Sequence, residues 1–298
     1  MSTLFPSTTS LPACEALPAR ASDGARAEVL LQLPMGTPRR VLYWVPALGV
    51  SARQYLPLAR TLAESGLAVA VHEWRGIGSS DRRAGRREDW GYRELLEDDI
   101  PAGLAALRER LPSVRYLLGG HSLGAQLASL YAGLHPDQVA GLALVASGSP
   151  YWRQFRHGRL IWLGLAAAPW LARLCGHLPG RRIGFGGNEA RSVIEDWARS
   201  GRTGRYAAAG MPDDLESRLA GLAQPLLALR LADDWLGPEA SLAWLLGKMP
   251  RARIERQLIT SRDMDGRPAD HFGWMKAPQP VAGRIAAWSA GLPPTAGP

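Results

Sequence analysis

The sequence predicts an α/β protein, a mostly parallel, doubly wound sheet with a helical insertion. Three observations predict it. Apolar runs such as Leu67–Val71 and Val139–Val145 alternate with stretches of helical period, and an unbroken apolar run marks a strand buried on both faces. One run, Tyr116–Gly119, passes through a glycine-flanked turn into a helical pattern at Leu127, Leu130, Tyr131 and Leu134. The alternation stops between residues 151 and 220 and resumes at Gln224. With 298 residues and 46% hydrophobic content, the chain can hold one large core plus an insertion.

Taken in order, residues 1–22 are rich in Ser, Thr, Pro and Ala without periodicity and read as a flexible leader. Arg26–Leu33 and Arg40–Val45 read as strands joined by the 34–38 turn and lying side by side. Ser51 fits the N-cap of a helix carrying Tyr55, Leu58, Ala59 and Leu62 and stopping at Gly66. Trp90 to Arg110 reads as a helix that Pro101 bends. The core is thus assigned to 23–150 and 221–298, the second part holding strands at Gln224–Leu231 and Ile254–Thr260 and helices at Ser241–Lys248 and Pro280–Leu292.

Residues 151–220 form the insertion, expected to be a helical cap with no clear strand. It contains Trp152, Trp162, Trp170, Trp197, the turn Gly184–Gly187 and an apolar segment, Leu160–Leu174. Arg156, Arg159 and Arg173 flank that segment as they would a membrane-surface helix. A single short apolar segment is more often internal, so it is expected to cover an apolar pocket.

Net charge is +8, nearly all from arginine, and the arginines read as spread along the chain with no run of five or six like charges. No nucleic-acid partner is expected. Cys14 and Cys175 give neither metal spacing nor a disulfide framework, and no dinucleotide fingerprint or P-loop occurs, so no cofactor and no metal are expected. Met1–Glu15 lacks the pattern of a secretory signal and no window reaches 18 apolar residues, which points to a cytoplasmic protein without an integral membrane segment.

Gly120-His121-Ser122-Leu123-Gly124 fits a nucleophile elbow. The serine must stand on a sharp turn, and neighbouring backbone leaves no room for side chains two residues either side of it. A helix start behind it favours developing negative charge. Serine also needs a base, and the base needs an orienting group. Of six histidines, His121 points away from the elbow side, His72 and His135 end other elements, and His157 and His177 fall in the insertion. His271 lies in a loop after the last strand beside Phe272-Gly273-Trp274, which could shield it from water. Asp233 and Asp234 follow the Leu226–Leu231 strand and both qualify as the acid, ahead of Asp263, Asp265 and Asp270. One oxyanion donor is the Leu123 amide, the other an amide of the Pro46–Gly49 loop.

From about residue 25 to 292 these motifs resemble the α/β-hydrolase superfamily with a cap, in particular bacterial hydrolases of the serine aminopeptidase-like, lysophospholipase-like group. The shared features are the Pro46-Ala47-x-Gly49-Val50 loop, the Gly-His-Ser-Leu-Gly elbow and His271-x-Gly273. The resemblance implies the triad Ser122, His271 and Asp234, since Asp234-Trp235-Leu236-Gly237-Pro238 matches the family's Asp-x-aliphatic-x-Pro run, and it gives the second oxyanion amide to Leu48. Pro46-Ala47 stands where many relatives have His-Gly, and Glu73 replaces the Asp of an Asp-x-Arg-Gly-x-Gly-x-Ser turn. The implied function is cofactor-independent hydrolysis of a small ester or thioester with an apolar acyl or aryl group. The alternatives are acyl transfer, aminopeptidase action with Glu189, Glu195 and Asp196 near the substrate ammonium, or a non-catalytic binding protein.

Overall fold

The computed structural model describes residues 10–293. Eight strands form one sheet in the order β1-β2-β4-β3-β5-β6-β9-β10. They are β1 (Glu15–Arg20), β2 (Arg26–Gln32), β3 (Arg40–Val45), β4 (Ala68–Val71), β5 (Arg115–His121), β6 (Gly141–Val145), β9 (Pro225–Leu231) and β10 (Arg253–Ile259). β1 and β2 run antiparallel to their neighbours, and β4, β3, β5, β6, β9 and β10 are mutually parallel.

Two expectations change here. Residues 1–9 of the expected leader lie outside the described residues, but Glu15–Arg20 is an edge strand in register with Arg26–Leu31. Its side chains alternate between half-buried and exposed, as on an edge strand with one wetted face. β2 does not lie beside β3. It pairs with β4, and β3 sits between β4 and β5. The apolar run Val41–Val45 of β3 can be buried on both faces only in the sheet interior.

The two faces follow the two-residue period of the strands. Tyr43, Val45, Leu118, Leu142, Leu144 and Ala228 enter one core, under helices α3 (Ile100–Arg110), α4 (Leu123–Leu134), α8 (Leu215–Gly221) and α9 (Glu239–Gly247). Leu42, Trp44, Val69, Leu117, Val145 and Leu229 enter the other, under α1 (Leu56–Glu64) and α10 (Gln279–Gly291). α8 packs on α4. The core therefore resumes at Leu215, a few residues before the expected boundary at 221. Tyr92 to Arg110 is continuous through α2 (Tyr92–Glu94), a π-helical turn at Leu95–Asp99 and α3. Pro101, which has no amide to donate, follows that wide turn.

Between β6 and α8 lie α5 (Gly158–Cys175), α6 (Gly180–Ile183) and α7 (Arg191–Thr203). A two-residue ladder, β7 (Leu178–Pro179) with β8 (Asn188–Glu189), joins them, so the stretch is not wholly without strand. α5 packs on α7 through Leu165, Pro169 and Ala172.

Candidate active site

β5 delivers the elbow. Ser122 stands between β5 and α4 with φ 55° and ψ −122°, a strained conformation for a residue with a side chain. The sequence makes that turn possible locally. A Cβ on Gly120 would lie 2.6 Å from the Ala125 amide nitrogen, and one on Gly124 would lie 2.2 Å from the carbonyl oxygens of Val45 and Pro46. The strain is held by two bonds on the Ser122 backbone: its N–H donates to Val145 O at 3.1 Å, and its carbonyl accepts from Ser147 Oγ at 2.7 Å. The Leu123 amide opens α4, where helical geometry supplies no partner.

β9 and the loop after β10 deliver the other two side chains. His271 Nδ1 meets Asp234 Oδ2 at 2.8 Å, and both residues are buried. The other Asp234 oxygen, Oδ1, accepts from the Leu236 and Gly237 amides at 2.9 and 3.0 Å. A carboxylate so held fixes the ring through an Nδ1–H bond and leaves Nε2 as the free base. The His271 ring lies 4.8 Å, centroid to centroid, from that of His121, the neighbour of Ser122. Asp233 faces elsewhere, its Oδ2 accepting from the Ala269 amide at 2.9 Å. Asp263 accepts from Thr260, and Asp270 caps the turn at Phe272 and Gly273. Trp274 is fully buried and donates Nε1–H to His271 O at 3.0 Å, whereas Phe272 stands half-exposed with its ring edge-on to His271.

The Pro46–Gly49 loop and the helix start after it are held by residues to which sequence reading assigned no such role. Trp74 Nε1 donates to Pro46 O at 3.0 Å. The Ala47 amide donates to Tyr55 Oη at 2.9 Å, and that hydroxyl shares a hydrogen bond with His121 Nδ1 at 2.8 Å. His121 is fully buried. Its Nε2 lies toward the His271 backbone, short of hydrogen-bond geometry. Burial, with His271 next to it, holds its pKa well below the ordinary 6.5 and keeps the ring neutral. Ser51 caps no amide. Instead the buried Glu73 accepts from the Ala52 amide at 2.9 Å and the Ser79 amide at 3.4 Å, its extra methylene reaching the start of the helix. Burial raises the Glu73 pKa against these bonds.

The turn Gly184–Gly187 sits directly against this loop. A Cβ on Gly49, at φ +77°, would fall 2.2 Å from the Gly187 amide nitrogen. The Leu48 side chain packs against the cluster Ala172, Leu178 and Ile194 of the insertion, as Leu171 and Phe185 do. Glu189 Oε1 accepts from the Gly187 amide at 2.6 Å, and burial pushes the pKa of this carboxyl up to about 7. The other two carboxylates considered for an ammonium site are engaged elsewhere. Glu195 pairs with Arg173, and Asp196 accepts from Arg199 and from the Tyr92 and Ala209 amides. Among the described residues no cluster of His, Cys, Asp and Glu could hold a metal ion.

The model of the family described as serine aminopeptidase, S33, matches residues 36–260. The chain belongs to that family. Its fold is that of the α/β-hydrolase superfamily. A carboxyl esterase from Bacillus coagulans superposes with a TM-score of 0.64 at 17% identity, covering 94% of this chain and 99% of that one. The esterase domain of a Rhodothermus marinus protein does so at 0.59 and 18%, covering 93% and 98%. In sequence, 113 residues are 28% identical to human monoglyceride lipase, 38% of this chain and 36% of that protein. The match thus spans about a third of the curated relative's length. The mouse enzyme matches over the same length at 26%.

Proposed function

We propose that the protein is a serine hydrolase of esterase or lipase type, cleaving small carboxylic esters or thioesters with an apolar acyl or aryl group. The observations that carry this are the buried His271–Asp234 pair, the His271 ring 4.8 Å from that of His121, and the strained turn at the next residue, Ser122. Ser122 Oγ attacks the substrate carbonyl while His271 Nε2 takes the hydroxyl proton. Asp234 holds Nδ1–H and balances the imidazolium. The Leu48 and Leu123 amides receive the oxyanion. His271 then protonates the leaving alcohol or thiol, and a water molecule, deprotonated by the same ring, releases the acid. The chemistry assigned to these residues requires no cofactor.

The insertion acts as a cap. Its support is the packing of Gly186 and Gly187 on Gly49, and of the Ala172, Leu178 and Ile194 cluster on Leu48, next to the amide assigned to the oxyanion. The apolar character of that packing, and similarity to monoglyceride lipases, favour an acyl chain over a charged substrate. The reading is tested with p-nitrophenyl esters of graded chain length, matching thioesters and aminoacyl arylamides. Wild type should cleave esters and thioesters, and Ser122→Ala should lose at least about 10³-fold. Preferred cleavage of aminoacyl arylamides, or activity unaffected by Ser122→Ala, would overturn it.

A further inference from the structure

α5 is apolar on two opposite sides. Leu165, Pro169 and Ala172 are buried against α7, yet Leu163, Ala167, Trp170 and Leu174 form an exposed stripe at helical spacing on the other side. Leu160 beside that stripe is 68% exposed, Trp170 67% and Leu174 72%. The segment expected to be internal therefore shows half its apolar surface to solvent, because α7 covers one side only. An outward row of leucine and tryptophan needs a partner.

The charge identifies the partner. Between residues 151 and 214 there are ten arginines and five carboxylates, while the rest of the chain has 25 basic and 22 acidic residues. The insertion thus carries five of the eight net positive charges in about a fifth of the chain's length. The arginines also flank the stripe. At the N-terminal end of α5, Arg153, Arg156 and Arg159 line one groove with Trp152 and Phe155. Toward its C-terminal end, Arg173, Arg199 and Arg202 line another with Trp170 and Glu195. Arg173 pairs with Glu195 and Arg199 with Asp196, but Arg153, Arg156 and Arg159 have no carboxylate partner among the described residues. Two copies of this surface would repel each other. A polynucleotide would satisfy the arginines and leave the leucines wet. An anionic bilayer satisfies both, with guanidinium groups on lipid phosphates, tryptophan at the headgroup level and leucine in the acyl boundary. At 18 residues α5 is about 27 Å long. No helix among the described residues is long and apolar enough to cross a membrane, so α5 would lie in the interface.

We infer that the outer face of α5, with its arginine rim, docks the protein on anionic membrane surfaces. The inference concerns binding alone and stands whether or not Ser122 is a nucleophile, so Ser122→Ala protein serves equally in its test. The full chain is floated with vesicles of pure phosphatidylcholine and with vesicles containing about one-third phosphatidylglycerol. Partition should be at least about tenfold stronger on the anionic vesicles and should lose that advantage near 1 M salt, where charges are screened beyond about 3 Å. Arg153→Gln/Arg156→Gln/Arg159→Gln should cost roughly fivefold per arginine. Leu163→Ser/Trp170→Ser/Leu174→Ser should abolish flotation, with Trp170→Ser alone as the milder variant if the triple one misfolds. Equal partition on both vesicles, unchanged flotation of either folded variant, dimerisation through this face, or tighter retention on duplex DNA would overturn the inference.

Discussion

Asp234→Asn isolates the orienting role of one carboxylate. The Asn side chain must place its oxygen where Oδ1 now accepts from the Leu236 and Gly237 amides, because the reverse rotamer would set an NH2 against two N–H donors. The NH2 then occupies the Oδ2 position, 2.8 Å from His271 Nδ1. Nδ1 is forced to accept, the ring proton moves to Nε2, and Nε2 can no longer take the Ser122 proton. The expected loss in kcat is about 10⁴-fold, as for the same change in a serine protease, or roughly 5 kcal/mol of barrier. Both backbone bonds survive, so the melting temperature should change little. The assay is steady-state hydrolysis of a p-nitrophenyl ester, with fluorophosphonate titration to count active sites and circular dichroism to check the fold. A loss below about tenfold in folded protein would refute the tautomer argument.

Two further substitutions probe the contact between cap and loop. Glu189 titrates near 7 instead of its ordinary 4.5, so folding favours its protonated form. Its stabilising contribution is full below pH 4.5 and is lost as pH rises through about 7. Glu189→Gln removes that loss, and should be more stable than wild type by about 3 kcal/mol above pH 7, the gap closing toward pH 4.5 in urea titrations at several pH values. A gap independent of pH would contradict this. Gly49→Ala combines a left-handed φ with a clash against the Gly187 amide. It should cost about 2–4 kcal/mol in thermal unfolding and lower kcat, because the loop carrying the Leu48 amide must shift. An unchanged kcat would separate that loop from the chemistry.

What the sequence revealed depended on how local each constraint is. The Ser122 turn was legible because its demand is steric and contained in five residues. The His271 and Asp234 positions were legible because chain order and the Asp-x-aliphatic-x-Pro run mark where the sheet returns. β1 was not legible, since Glu15–Arg20 carries alanine and proline and no β-branched residue, and only pairing with β2 makes it a strand. The position of β3 between β4 and β5 is a long-range choice that no local pattern encodes. The residues that hold the Pro46–Gly49 loop and the helix start after it (Glu73 and Trp74, Tyr55, and His121) come from three separate parts of the chain, so their convergence exists only in the fold. His121 had been read only as pointing away from the elbow. The excess of positive charge in the insertion, +5 over residues 151–214, was present in the sequence but becomes apparent only when charge is summed over that stretch rather than sought as runs.

The central claim is that Ser122 is an activated nucleophile. The most direct measurement is covalent labelling with a fluorophosphonate, read by intact mass and peptide mapping. Wild type should gain one adduct per chain, on Ser122, while Ser122→Ala gains none and Asp234→Asn reacts far more slowly. Folded wild type that gains no adduct, or an adduct that persists in Ser122→Ala, would contradict the account.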